Sequence, residues 1–217
     1  MYSVRGTGKP LLTGRRIIDM NIIVKPYGSG LCYCRPDTTW ERENKDFYSP
    51  ECVKELHWSP IIFVRISKAG KYIGGKFASR YYEAFNFGAL LYCHTSESSD
   101  LAYTSCADHT SLLPGPMYNP EIMENEENVF EVKKNGETIF GLPKTAFAKL
   151  RSLENISFKD MIEDGICKAS QLTTLRIGDF VAIELTPTSL LASHNEGEAS
   201  LEATYCENKL LDFKVIF

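Results

Sequence analysis

Short segments rich in β-branched and aromatic residues recur along the chain, and they limit the folds open to it more than any other feature. The clearest are Asn21–Lys25, Ile61–Ile66, Gly88–Cys93 and Phe180–Leu185. Such residues favour extended backbone, because their branched or flat side chains pack well on a pleated surface. The pattern predicts an α+β fold with a β-rich core and a few short helices.

Turn signals predict two hairpins. Asn135-Gly136 lies between the strand segments Val129–Lys133 and Glu137–Phe140, and this dipeptide suits a tight turn because both of its residues need positive φ. A second hairpin is predicted within Leu201–Phe217, with its turn near residues 207–209.

Two helices are predicted. Ser157 is followed three residues later by Asp160, a pattern like a capping box, which predicts a helix through Lys168. The spacing of apolar residues favours a short helix over Lys76–Phe85. Residues 94–127 are mostly polar and predict a long loop region with little regular structure.

Length and charge set the class of protein. The 217 residues suit one domain, which we place at 20–217 after a basic lead-in at 1–19 that need not be ordered. The net charge of −4 argues against a nucleic-acid partner, since phosphate contacts require a basic surplus. Pro60 is expected at the entry to the Ile61–Ile66 strand, as strand rules allow.

The sequence also bears on compartment. No apolar run is long enough to span a membrane, and no secretory signal is visible. The seven cysteines are an odd number without paired spacing, which favours a reduced, cytoplasmic setting. Cys32 and Cys34 are expected to pack in or near the core and not to bind zinc.

Several stretches resemble the fumarylacetoacetate hydrolase family. The segment Thr174–Asp179, followed by a strand and by Thr186-Pro187, resembles the family's "TL-x-x-GD…TP" motif. The match runs in order through residues 21–217, like the short bacterial members. Other similar stretches are Arg35–Asp37, Gly70–Ile73, Phe77–Tyr82 and Asn208–Phe213.

The resemblance implies a mixed β-sandwich roll, usually dimeric. It also implies hydrolysis of C–C bonds in acylpyruvates, or decarboxylation or isomerisation of related oxo acids. In the family, Mg²⁺ or Mn²⁺ is held by three carboxylates, two from an aromatic-Glu-x-Glu strand and an Asp from a later strand. A hard cation requires such oxygen ligands.

This chain departs from the family at those carboxylates. By the resemblance they fall at Ser59, Ile61 and Leu90, which we call the cation-equivalent positions, while the adjacent aromatic is kept as Trp58. Two of the three side chains have no lone pair for a cation. No carboxylate occurs anywhere from Leu56 to Tyr82. We therefore expect no metal cofactor and no catalytic residues.

Other parts of the family's site are also altered. The family's lysine motif falls near Ser105, where no lysine remains although Asp108 does, and Glu184 stands close to a family glycine. The lid helix that carries a histidine base has no counterpart. Together with Trp58, these residues mark the predicted remnant of the pocket.

Arg35, His57, Tyr92 and His94 are candidate ligand-binding residues beside that pocket. Arg35 could bind a carboxylate through its planar fork, although a surface salt bridge is the simpler interpretation. Glu55 and His57 share a strand face and could offer two metal ligands, but a solvated strand edge is favoured. His94 could contact an anionic ligand.

Three functions stay open. The first is a non-catalytic family scaffold, a pseudoenzyme that binds a small oxo acid or a partner such as a second copy or an active relative. The second is a divergent hydrolase, decarboxylase or isomerase. The third is a purely structural subunit, in which Ile61 and Leu90 would fill the pocket.

Overall fold

Extended backbone dominates this computed structural model, which describes residues 20–123, 125, 127–142 and 157–217. The predicted lead-in at 1–19 and two of the acidic residues of the long loop, Glu124 and Glu126, lie outside those ranges. In chain order the strands are β1 (Ile22–Lys25), β2 (Tyr33–Arg35), β3 (Trp40–Glu41), β4 (Phe47–Tyr48), β5 (Val53–Ile66), β6 (Tyr82–Thr95), β7 (Ser111–Leu112), β8 (Phe130–Lys134), β9 (Glu137–Gly141), β10 (Phe180–Glu184), β11 (Ser189–Ser193), β12 (Glu198–Tyr205) and β13 (Asn208–Ile216).

The strands form two mixed sheets. The larger has the order β2-β1-β10-β5-β6-β7-β3, with β11 also pairing with β5, and the smaller has the order β4-β13-β12-β8-β9. The helices are short except for the last: α1 (Gly75–Ala78), α2 (Leu101–Thr104) and α3 (Phe158–Leu172). None of these helices in the described part of the chain is long and apolar enough to cross a bilayer.

The main core lies between the two sheets. Buried side chains from β5, such as Ile62 and Val64, pack in one cluster with Leu201 and Phe213 of the smaller sheet and with Ile166 of α3. The opposite face of the larger sheet carries a second, smaller cluster of buried residues. This second face holds most of the candidate site residues.

Both predicted hairpins and one predicted helix are confirmed. Asn135 and Gly136 have φ of 50° and 82° between β8 and β9. Ser157 forms a capping box with Asp160, and α3 continues past the expected end to Leu172. The turn of the last hairpin lies at residues 206 and 207, where φ is positive, slightly earlier than the expected residues 207–209.

The prediction of a helix over Lys76–Phe85 was wrong beyond its first turn. α1 ends at Ala78, and β6 begins at Tyr82. Tyr82 and Phe85 pair with Ile66 and Val64 of β5 and are buried. Pairing with β5 favours the extended conformation here, because aromatic residues readily adopt it when they can pack across a sheet.

Pro60 lies inside β5 and not at its entry. It pairs with Ala89 of β6 on one side. On the other side β10 reaches only to Ile61 and β11 begins only at Trp58, so Pro60 falls where the neighbouring strand changes. Its carbonyl accepts the Leu185 N–H at 2.9 Å. Proline has no N–H to donate, and it is tolerated where a ladder ends.

Cys32, just before β2, and Cys34, within it, differ in environment. Cys32 packs against the main core, and burial raises the pKa of its thiol to about 11. Cys34 is exposed, so the prediction that both would pack in or near the core holds only for the first. Both are free thiols.

Candidate functional site

The β5–β6 ladder places most of the candidate residues on one face of the larger sheet. Directly opposed residues of paired strands point to the same side, and side chains alternate along each strand. The face that results is here called the site face. Its cross-strand pairs are Glu55 with His94, His57 with Tyr92, Ser59 with Leu90, and Ile61 with Gly88.

Hydrocarbon fills the site face at the cation-equivalent positions. Ser59, Ile61 and Leu90 all have zero exposed surface. Ile61 and Leu90 belong to the second core cluster, where they pack with residues of β1 and β10 such as Ile22 and Phe180. The Ser59 hydroxyl donates to the Thr186 carbonyl at 2.9 Å. This is the arrangement expected for a filled pocket.

Arg35 is buried beneath the segment that joins α2 to β7. Its Nε donates to the Ser105 carbonyl at 2.7 Å. Its Nη1 donates to the Thr110 carbonyl and to the Ser111 hydroxyl, both at 3.0 Å, and its Nη2 donates to the Leu91 carbonyl. The prediction of a surface salt bridge was therefore wrong. Because the guanidinium donates to carbonyls of residues distant in sequence, few of its N–H groups remain to bind the carboxylate of a ligand.

Glu184 ends a buried chain of polar groups. Its carboxylate accepts hydrogen bonds from the Tyr92 hydroxyl and, at 3.0 Å, from the Tyr27 N–H. The Tyr33 and Tyr92 hydroxyls lie 2.9 Å apart, and the Arg35 guanidinium stands 5.0 Å from the centre of the Tyr92 ring. Burial raises the pKa of Glu184 and raises that of Tyr33 to about 12.

Replacing Glu184 with glutamine should flatten part of the pH dependence of stability. Burial raises the pKa of Glu184 in the folded state. The stability that the protonated side chain contributes to the folded protein is therefore fully present below the pKa of glutamate in the unfolded chain. It is lost as the pH rises through the pKa of Glu184 in the folded protein. The amide can still accept from Tyr27 and donate to Tyr92. Relative to the variant, wild type should lose about 1.4 kcal/mol for each unit of the raised pKa.

Urea unfolding at several pH values above about 4 measures this difference. Glu83→Gln, at an exposed position on β6, is the matched control and should track wild type. If the free energy of unfolding of Glu184→Gln ran parallel to that of wild type at every pH, the pKa of Glu184 would not be raised in the folded protein.

The other predicted pocket residues lie apart from the site face. Trp58 is buried in the main core, on the opposite side of the sheet. Asp108 is exposed and lines a separate groove beside Glu41 and His109, whose Oε2 and Nδ1 lie 2.8 Å apart. Ser105 is connected to the site through its carbonyl, which accepts a hydrogen bond from Arg35.

Glu55, His57 and His94 meet at one end of the site face. The two imidazole rings stack with their centroids 4.0 Å apart and their planes 6° from parallel. His57 Nε2 lies 3.0 Å from Glu55 Oε2. Burial and the neighbouring His57 lower the pKa of His94. The sequence suggested the first two as a pair, but only the strand register shows that His94 joins them.

Comparison with known proteins yields structural matches alone. No protein-family model matches the sequence, and no curated protein does either. A fumarylpyruvate hydrolase from Pseudomonas aeruginosa, solved with Mn²⁺ and pyruvate, superposes with a TM-score of 0.64 at 11% identity, covering 91% of this chain and 89% of that one. A 2-hydroxyhepta-2,4-diene-1,7-dioate isomerase from Mycobacterium marinum gives 0.67 at 14% identity, covering 90% and 74%.

A maleylpyruvate hydrolase from Sphingobium sp. SYK-6 gives a TM-score of 0.65 at 12% identity, with 89% and 69% covered. The chain has the fumarylacetoacetate hydrolase fold. The predicted fold class, α+β and β-rich with a mixed β-sandwich roll and a few short helices, is confirmed. At this level of identity the fumarylacetoacetate hydrolase fold alone is shared, and activity must be argued from the site.

The residues at the cation-equivalent positions do not fit the Mg²⁺ or Mn²⁺ that the fumarylacetoacetate hydrolase family uses. Such ions take several oxygen ligands, often carboxylates. Ser59 offers one neutral hydroxyl, already engaged with Thr186, and Ile61 and Leu90 offer none. Glu184, on the neighbouring strand, is engaged with Tyr92 and Tyr27.

Proposed function

We propose that this chain is a non-catalytic protein built on the fumarylacetoacetate hydrolase fold, which has lost the family's cation site and acts by binding a protein partner. One observation carries the proposal: Ile61 and Leu90 are completely buried members of the second core cluster at positions where the family resemblance places carboxylates. Replacing a cation and its charged ligands by packed hydrocarbon avoids burying unpaired charge.

The same contacts favour a protein partner over a small oxo acid. An oxo acid would need a cation or a free guanidinium to hold its carboxylate. Arg35 already donates hydrogen bonds to three backbone carbonyls and to the Ser111 hydroxyl. The space at the cation-equivalent positions is filled. A second copy of the chain is the first partner to consider, since dimers are usual in the family that it resembles.

Turnover assays test the loss of catalysis. The purified protein is incubated with acylpyruvates and with oxaloacetate in the presence of Mg²⁺ or Mn²⁺, beside the Pseudomonas aeruginosa fumarylpyruvate hydrolase as a positive control. We expect no turnover above the rate without protein. Turnover that a chelator abolishes would overturn the proposal and favour the alternative, a divergent hydrolase, decarboxylase or isomerase.

Light scattering coupled to gel filtration tests the partner. A mass twice that of the chain, stable on dilution, supports self-association. A monomer that also fails to associate with an active member of the family from the same source would contradict the proposed mode of action.

A further inference from the structure

We infer that Glu55, His57 and His94 form a binding site for a divalent transition-metal ion of the Zn²⁺ class. This site is separate from the cation-equivalent positions and independent of the proposed function. In the described part of the chain, these residues are the one group of three whose side-chain ligand atoms converge, all lying within 4.8 Å of one another.

The backbone holds the three side chains in fixed relation. Glu55 and His94 are direct cross-strand partners in the β5–β6 ladder, and His57 lies one alternation further along β5 on the same face. β5 is also paired with β11 at this level, through His57 with Leu190 and Glu55 with Ser193. Sites built on paired strands are positioned more accurately than sites on loops.

The spacing of the three side chains suits a tetrahedral ion once the two imidazole rings have tilted out of their stack. Two ligands of a tetrahedral Zn²⁺ lie about 3.4 Å apart when each bond is about 2.1 Å. His57 Nε2 and Glu55 Oε2 are 3.0 Å apart, close to that separation. The imidazoles are stacked nearly parallel, 4.0 Å apart between centroids, so both rings must tilt out of the stack before their in-plane nitrogen lone pairs face a common ion.

The donor set and exposure select the type of ion. Two imidazoles and one carboxylate suit Zn²⁺ and its neighbours, whereas Mg²⁺ and Mn²⁺ prefer oxygen alone. The lowered pKa of His94 favours the neutral ring, which has a free lone pair. Side-chain exposure is 52% for Glu55 and 22% for His57, so water can reach the ion and fill the remaining coordination position.

Competition against a chromophoric chelator measures the site. Chelator-stripped protein is titrated with Zn²⁺, and we expect one tightly bound ion per chain. The variants His57→Gln, His94→Gln and Glu55→Gln should each weaken binding by about tenfold or more. His194→Gln, at an exposed histidine elsewhere, is the matched control and should bind as wild type. Circular dichroism confirms that each variant is folded.

Exposed cysteines are the competing ligands, and Co²⁺ distinguishes them. Bound at the proposed site, Co²⁺ should give visible bands without a thiolate charge-transfer band, and the bands should disappear in His94→Gln. The inference is overturned by the absence of saturable Zn²⁺ binding, by equal binding in the histidine variants, or by a thiolate band that is lost on replacing Cys34, Cys52 or Cys106 with serine. None of these results would change the interpretation of the turnover assays with Mg²⁺ and Mn²⁺ that test the proposed function.

Discussion

Replacing Arg35 with alanine should destabilise the protein by about 3–5 kcal/mol, and replacing it with lysine should recover only part of that loss. The guanidinium binds three backbone carbonyls and the Ser111 hydroxyl from a fully buried position. Removing it takes a donor from each of these acceptors. The Thr110 carbonyl keeps the Leu91 N–H and the Ser111 hydroxyl keeps the Thr39 hydroxyl, whereas a buried polar atom left without any donor costs about 1–3 kcal/mol. A lysine ammonium cannot reach all four from one point.

Urea unfolding measures this effect, and Arg80→Ala is the matched control. Arg80 is exposed and lies over the Phe77 ring, so its removal should change the free energy of unfolding by less than about 0.5 kcal/mol. If Arg35→Ala were equally mild, the carbonyls of Ser105 and Leu91 would have found other donors, and Arg35 would be available for a ligand after all.

Introducing the family's carboxylate at Leu90 should be comparably damaging, with a loss of about 4 kcal/mol or a failure to fold. Leu90 has zero exposed surface and packs in the second core cluster. The hydroxyls of its cross-strand neighbours Ser59 and Ser111 are already hydrogen-bonded to other groups, so an aspartate there would be buried beside groups that are engaged elsewhere. Leu31→Asp makes the same chemical change at a residue that is 74% exposed, and it should be nearly neutral.

A triple variant extends the test. Ser59→Glu, Ile61→Glu and Leu90→Asp together recreate the family's ligand types, and we expect this chain to be less stable than the single variant, with no gain from Mn²⁺. Thermal unfolding with and without Mn²⁺ gives the answer. A folded triple variant that Mn²⁺ stabilises would show that the cation site had been kept open, and the filled-pocket account would be wrong.

Features decided by neighbouring residues were predictable from sequence. The Asn135-Gly136 turn and the Ser157 cap depend on the φ values and hydrogen bonds of a few adjacent residues, and both are found. The order of short motifs was also enough to predict the fold. The extent of β6 was not, because residues 79–85 have a helical spacing that only pairing with β5 overrides.

The site depended on contacts that the sequence does not display. Arg35 looked like a surface residue because its acceptors lie far along the chain, between Leu91 and Ser111. His94 was separated from Glu55 and His57 until the register of two long strands set it opposite them. By contrast, the resemblance identified Ile61 and Leu90 as the informative positions, and both are buried side chains of the site face.

The length of β5 and β6 has a consequence for how the chain folds. Each strand has 14 residues, and only residues 67–81 separate them, so their pairing begins by closing a connection of 15 residues. The pairing of β1 with β10 instead joins residues near 22 to residues near 180, at a much larger entropic cost. The long hairpin can therefore form first and serve as the template. The strand that completes the sheet must wait until most of the chain has been made.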